Sequence, residues 1–151
     1  MKIKLIKFND ELKAPTRSYY NDAGVDCYAL EDVTISPMQT KSIDKNGYTI
    51  YQNHTELIPL GFGLEVPDGY MATIRPRSSM NIKGIVTQIG TIDSGYRGEI
   101  KCALCNLTGN PYHIKKGDKI CQIIIEPVVL ADFVEELENN RGTGGFGSTG
   151  K

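Results

Sequence analysis

Gly90-Thr91-Ile92-Asp93-Ser94-Gly95-Tyr96-Arg97-Gly98 reads as an apolar strand, a tight turn and the approach to a second strand over residues 99–107. Ser94-Gly95 signals the turn, because glycine takes positive φ at no steric cost. Asp93 stands at the shoulder of that turn and Tyr96 just past it. Gly98 lets another backbone come close. Two readings of the tip fit these residues. One is a solvated turn capped by its Asp; the other is a rigid hairpin that offers an acid and a ring to a small molecule.

Outward from this stretch the same pattern repeats. Short apolar or alternating runs occur at residues 2–8, 24–29, 33–35, 48–51, 56–65, 70–75, 85–89, 99–107 and 119–129. Turn residues separate them, among them Asp22-Ala23-Gly24, Lys45-Asn46-Gly47, Pro67-Asp68-Gly69, Gly109-Asn110-Pro111 and Lys116-Gly117-Asp118. Many short strands broken by turns predict an all-β barrel or sandwich. A helical turn is expected only at residues 78–83; residues 129–138 fit a helix or an extended run equally. Asp44, Asp68 and Asp118 sit in turns and receive no chemical role.

At 151 residues the chain is long enough for one domain with a real core. A formal net charge of −1 supplies no basic field for nucleic acid. No apolar run is long enough to span a membrane. Residues 1–8 alternate Lys with Ile, Leu and Phe, a strand pattern and not a signal peptide, so the expected location is the cytoplasm. There the four cysteines, Cys27, Cys102, Cys105 and Cys121, are expected as reduced thiols. Cys102 and Cys105 lie within one strand, where an odd separation turns them to opposite faces. They read as small buried hydrophobes and not as a zinc pair.

Three polar stretches stand out. Arg75-Pro76-Arg77-Ser78-Ser79 places hydroxyls and a guanidinium at the start of a short helical turn, which suits an anion or a plain N-cap. Asp26 lies within a strand-like run, where a carboxylate is costly unless a cation is near. Residues 139–151 are rich in glycine yet carry Arg141, Phe146, Ser148 and Thr149, parts that hold phosphate and stack on a base. Residues 145–151 match G-x-x-x-x-G-K, but no helix can follow Lys151, so a P-loop is rejected.

Five stretches, in order and spacing, resemble the homotrimeric dUTPases. They are Ala23-Gly24-Val25-Asp26; Pro76-Arg77-Ser78-Ser79; the Gly90-to-Gly98 stretch; Lys116-Gly117-Asp118-Lys119-Ile120-Cys121-Gln122; and the glycine-rich run of residues 141–150. The resemblance implies a jelly-roll-like β-barrel of the dUTPase β-clip type at residues 1–138, and a flexible arm at 139–151 that closes over the site. It implies a homotrimer with sites shared at its interfaces, and hydrolysis of dUTP to dUMP and pyrophosphate with Mg²⁺. That reaction limits uracil in DNA and supplies dUMP for dTMP synthesis. Asp93 resembles the general base that holds the attacking water. Tyr96 resembles the ring that packs on deoxyribose. Thr91, Ile92 and the strand to Lys101 resemble the uracil-reading hairpin. Arg77, Ser78, Ser79 and Gln122 resemble phosphate contacts. Asp26 resembles the carboxylate that reaches Mg²⁺ through water. Arg141, Phe146, Gly147, Ser148 and Thr149 resemble the closing arm, with Phe146 stacked on uracil.

Three departures accompany the match. Ser79 stands where many members have Gly. Thr87 stands where many have an Asn near uracil, with Gln88 as its substitute. Residues 43–56 exceed a minimal connection and read as an inserted hairpin, a candidate contact for a protein partner. Two rival readings follow: a dCTP deaminase or deaminase–dUTPase of the same fold, and a nucleotide-gated regulator that binds a protein through that hairpin.

Overall fold

The computed structural model describes residues 1–52 and 54–135. Short strands follow one another from the start: β1 (Lys4–Lys7), β2 (Val25–Tyr28), β3 (Val33–Ile35), β4 (Gln39–Ile43), β5 (Thr49–Gln52), β6 (Thr55–Pro59), β7 (Phe62–Glu65) and β8 (Tyr70–Arg75). One helical turn, α1 (Ser78–Asn81), leads to β9 (Ile85–Thr87), β10 (Gly90–Ile92), β11 (Lys101–Asn106), β12 (Tyr112–Ile114) and β13 (Lys119–Pro127). The fold is all-β and jelly-roll-like. Its ladders form separate sheets and close into no barrel among the described residues. A four-stranded sheet has the order β10-β8-β13-β2, and a three-stranded sheet the order β6-β11-β9. Three two-stranded ladders complete it: β1-β7, β12-β3 and β4-β5.

The expected single run over residues 56–65 is two strands in different sheets. Gly61, at φ +76°, breaks it. Most side chains are strained there, and glycine is not. The break lets Leu60 donate to the Ile100 carbonyl (3.0 Å), while Ile100 donates to Phe62 (2.8 Å). Two short strands, β4 and β12, carry no clear apolar alternation, and the sequence does not announce them. The inserted hairpin spans residues 39–52, not 43–56, because β6 belongs to the core sheet. Its turn is built by Asp44, whose Oδ1 accepts the N–H groups of Asn46 (2.9 Å) and Tyr48 (2.8 Å).

Ile35, Leu60, Phe62, Ile85, Leu104, Ile114, Ile120 and Ile123 are fully buried between the sheets. Burial of each such side chain is worth about 1.5–3 kcal/mol. Asn106 is the buried polar pin: its Nδ2 donates to the Ile35 and Asn110 carbonyls (3.2 and 2.7 Å), and its Oδ1 accepts from Thr108 N–H (2.9 Å). After β13 the chain runs to residue 135 with neither helix nor strand, so the helix allowed at 129–138 is not found in its described part. Val129, Leu130, Phe133 and Val134 stand exposed there, with no apolar partner among the described residues to fix a face. Among the described residues no helix is long and apolar enough to cross a membrane.

Gly63 packs directly on the backbone: a Cβ there would lie 2.6 Å from the Gly98 carbonyl oxygen. Gly63→Ala is expected to destabilise the protein by about 1–3 kcal/mol through overpacking. Gly47→Ala, in open space on the hairpin tip, is expected to cost only its backbone strain, about 1 kcal/mol. Denaturant midpoints of the two variants check the contrast.

Candidate functional site

Strands β10 and β11 flank the Ser94-Gly95 turn, but they do not pair with each other. β10 pairs with β8, whereas β11 pairs with β6 and β9. The expected hairpin is therefore splayed, because each arm is recruited by a different sheet. The cleft between the arms is about 370 Å³. Gly90 to Asp93 line one side, Glu99 to Lys101 the other, with Tyr96 at the turn. Ligand sites span roughly 300–1,000 Å³, so the size suits a small molecule. Among the described residues β10 is an edge strand, so one row of its backbone N–H and C=O groups is unpaired and open to the cleft.

The turn does not use the Asp93 carboxylate. Tyr96 N–H donates to the Asp93 backbone carbonyl (3.1 Å). The Arg97 guanidinium donates to the Ser94 and Tyr96 carbonyls. Among the described residues the exposed Asp93 side chain has no hydrogen-bond partner, which leaves it for chemistry. Tyr96 is fixed by its hydroxyl, which donates to the Glu99 carbonyl (3.0 Å). Its ring lies over Gly98, where a Cβ would meet the hydroxyl oxygen at 2.4 Å. Glu99 in turn accepts Gly61 N–H (3.0 Å), tying the cleft wall to the core.

A second cluster forms beyond the other end of β8. Asp26, on β2, accepts from Arg77 Nε at Oδ1 (3.1 Å) and pairs with Lys119 Nζ at Oδ2 (2.7 Å). Ser18 Oγ also donates to Oδ2 (3.4 Å). Arg77 Nη1 donates to the Lys119 carbonyl (3.0 Å), and Gln122 Nε2 donates to the Pro76 carbonyl (2.9 Å). Gly24 makes room for Gln122: a Cβ there would lie 2.4 Å from its Oε1. Burial alone would raise the Asp26 pKa, but the Lys119 hydrogen bond and the Arg77 charge outweigh it and hold the carboxyl below its ordinary range. The helix is shorter than expected, and its N-cap residue is Arg77, with no side-chain cap. Ser78 and Ser79 are exposed beside it, free of that duty. Arg75 is committed to Glu126 (3.0 Å).

Sequence reasoning missed Lys119. It lies three residues before Gln122, which on a regular strand means the opposite face. A bulge between Lys119 and Cys121 changes that: Lys119 pairs with Tyr28 while Gln122 pairs with Asp26. Both side chains thus fall on the face of Asp26, and the consecutive Ile120 and Cys121 are both buried. The only signal was the cost of a carboxylate within a strand, which called for a cation without naming it.

The other expected residues separate. Thr91, Ile92 and Lys101 line the cleft. Thr87 is buried, with its hydroxyl donating to the Ile120 carbonyl (3.5 Å). Gln88 Nε2 donates to Thr55 Oγ1 (3.2 Å) and lies within 3.4 Å of Cys105 Sγ. Neither lines the cleft of its own chain. Arg141, Phe146, Gly147, Ser148 and Thr149 lie outside the described residues. The four thiols are free and buried, and the two on β11 diverge as strand alternation requires. Cys102 hydrogen-bonds Cys121, which with burial raises its pKa, whereas Cys105 meets Thr55.

The two clusters are far apart in one chain. Asp93 follows Ile92, whose register partner is Ala72, so Asp93 is level with Met71. Arg77 lies six residues further along. At about 3.3 Å per residue that is roughly 20 Å, longer than a triphosphate chain.

Residues 43–150 match the family model for dUTPase. A deoxyuridine 5'-triphosphate nucleotidohydrolase of Nautilia profundicola is 42% identical, with 100% of both chains covered. One from Corynebacterium glutamicum is 39% identical, covering 99% of this chain and 95% of that one. Among solved structures, a mutant dUTPase of Staphylococcus bacteriophage 80alpha with dUpNHpp has a TM-score of 0.80 at 24% identity, with 99% of both chains covered. A mutant dUTPase from phage phi11 of S. aureus, whose structure concerns a structural Mg(II) ion, has a TM-score of 0.74 at 22% identity, covering 92% of this chain and 100% of that one.

Because the Asp26 pKa is lowered on folding, its stabilisation is complete above the ordinary Asp value of about 3.9 and is lost as pH falls through the folded value. Asp26→Asn is expected to cost roughly 1–3 kcal/mol at pH 7. The gap between wild type and variant should close as pH falls below about 3.9, in urea titrations repeated across that range.

Proposed function

The chain belongs to the dUTPase family and hydrolyses dUTP to dUMP and pyrophosphate; on that premise we propose which of its residues do the work. The observation that carries the assignment is the unpartnered Asp93 carboxylate at the mouth of the splayed β10–β11 cleft. Unpaired backbone groups of β10 read the edge of uracil. A base with the wrong donor pattern leaves them unsatisfied, and that costs more than a lost contact. Tyr96, held flat over Gly98, supports the deoxyribose face. Asp93 takes a proton from a water molecule. The water oxygen bonds the α-phosphorus while the bond to the bridging oxygen breaks, and pyrophosphate leaves with that electron pair.

Phosphoryl chemistry needs positioning and charge neutralisation more than covalent help. Arg77, Ser78, Ser79 and Gln122 supply these for the phosphates. The cofactor Mg²⁺ suits this chain through Asp26. The largely buried Asp26 carboxylate would hold the ion through water, as a charged oxygen acceptor suited to a hydrated hard cation. When bound, Mg²⁺ neutralises charge on the phosphate oxygens. Residues 139–151 close the site: Phe146 stacks on the base, while Arg141, Gly147, Ser148 and Thr149 hold the outer phosphates. A cytoplasmic location fits a deoxynucleotide substrate.

The working unit is a homotrimer with sites at its interfaces. Two features support it. One chain holds Asp93 and Arg77 roughly 20 Å apart along β8, so different copies must supply them. Val129, Leu130, Phe133 and Val134 stand exposed, and an apolar groove lined by Ile3, Leu5, Val25, Leu64 and Ile125 offers such a segment a seat on a second copy.

Asp93→Asn is expected to lower kcat by ~10²–10⁴ while dUpNHpp still binds. Near-wild-type turnover, read as pyrophosphate release, would remove Asp93 from the mechanism. Deletion of residues 139–151 is expected to leave the melting temperature and oligomeric state intact and to abolish most of that turnover.

A further inference from the structure

We propose that Lys119 is a positioning residue that acts as a stand-in cation. It holds Asp26 while the site lacks metal-bound triphosphate and releases the carboxylate when that ligand arrives. This inference rests on the reading of Asp26 given above. The Asp26 carboxylate is nearly buried, with its side chain 15% exposed, and both oxygens are taken. Arg77 holds Oδ1 and Lys119 holds Oδ2, the latter at the shorter distance of 2.7 Å. With a cation already on each oxygen, the carboxylate's charge is compensated and it attracts the water shell of a metal less strongly.

The two cations differ in freedom. Arg77 is fixed twice, by Asp26 and by the Lys119 carbonyl. Among the described residues the Lys119 ammonium is bound only to Asp26 and Ser18 Oγ (3.1 Å), and its side chain is 34% exposed. It ends a flexible four-carbon stem, and a cavity of about 220 Å³ shared with Arg77, Ser79, Lys83 and Asp118 lies within its swing. The bulge at Ile120 is what aims this side chain at Asp26. Lys119 thus has two productive positions. On Asp26 it prevents a bare carboxylate from repelling the phosphates. In the cavity, where Asp118 also lines the wall, it leaves Asp26 Oδ2 without its cation and available.

Titration calorimetry with dUpNHpp, in Mg²⁺ and in EDTA, tests this on the full chain. Lys119→Met is expected to weaken metal-free binding by about tenfold or more while binding in Mg²⁺ changes by less than about threefold. Lys119→Gln should do the same if Lys119→Met does not fold. Lys119→Arg should restore the wild-type ratio. In an Asp26→Asn background Lys119→Met should no longer change that ratio, because the carboxylate it shields is gone. Affinity for dUMP, which lacks the outer phosphates, should stay constant throughout. Equal weakening in Mg²⁺ and EDTA, or none, would make Lys119 a structural tie and overturn the proposal. Failure of the wild type to bind dUpNHpp in Mg²⁺ would overturn the parent reading instead.

Discussion

Strand β8 is hydrogen-bonded along both edges, to β10 on one side and β13 on the other, and the rest of the site depends on those two registers. A slip of one residue would turn every side chain of the strand to the wrong face, so the pairing is stiff. Ile92 is held opposite Ala72, and Gln122 opposite Arg75. The first register places Asp93 and Tyr96 at one end of the strand; the second places Arg77 and Gln122 at the other. Neither cluster can drift toward the other without breaking a ladder in the middle of the principal sheet. A stiff scaffold of this kind gives two precise clusters and holds them apart within one chain.

At the phosphate end the chain solves a local charge problem. Its formal net charge is −1, yet its substrate is strongly anionic. Arg77, Lys119 and Lys83 gather positive charge around one cavity, with Asp118 also on its wall, and the neighbouring Asp26 is shared between two of the cations. Their arrangement comes from backbone devices: a bulge that turns Lys119 inward, and a glycine at position 24 that lets Gln122 lie flat and tie down Pro76. The functional polarity is thus written in the main chain as much as in the charged side chains.

The turns, the all-β class and most strands were legible in the sequence because alternation and glycine-bearing turns are local signals. β4 and β12 were not, since Gln39-Thr40-Lys41-Ser42-Ile43 and Tyr112-His113-Ile114 lack a clear apolar face. The break at Gly61 was signalled only by Pro59 and Gly61 inside an otherwise apolar run, which was read as one strand. Motif order offered Asp93, Tyr96, Arg77 and Gln122 as candidates, but their partition into two distant clusters could not be read from it, because that follows from strand pairing. Thr87 illustrates the same limit: its place in the motif suggested uracil, while its place on β9 turns it into the core. Lys119 was missed because a bulge overrides the two-residue period that sequence reading relies on.

Mixed assembly tests the central claim directly. Chains carrying Asp93→Asn and chains carrying Arg77→Ala, each inactive alone, are unfolded together at equal amounts, refolded and assayed for pyrophosphate release from dUTP. If each site draws its acid and its guanidinium from different copies, random mixing in a closed symmetric assembly should recover about a quarter of the wild-type rate. A mixture no more active than the two parents would show that one chain supplies both residues, and the account would be wrong.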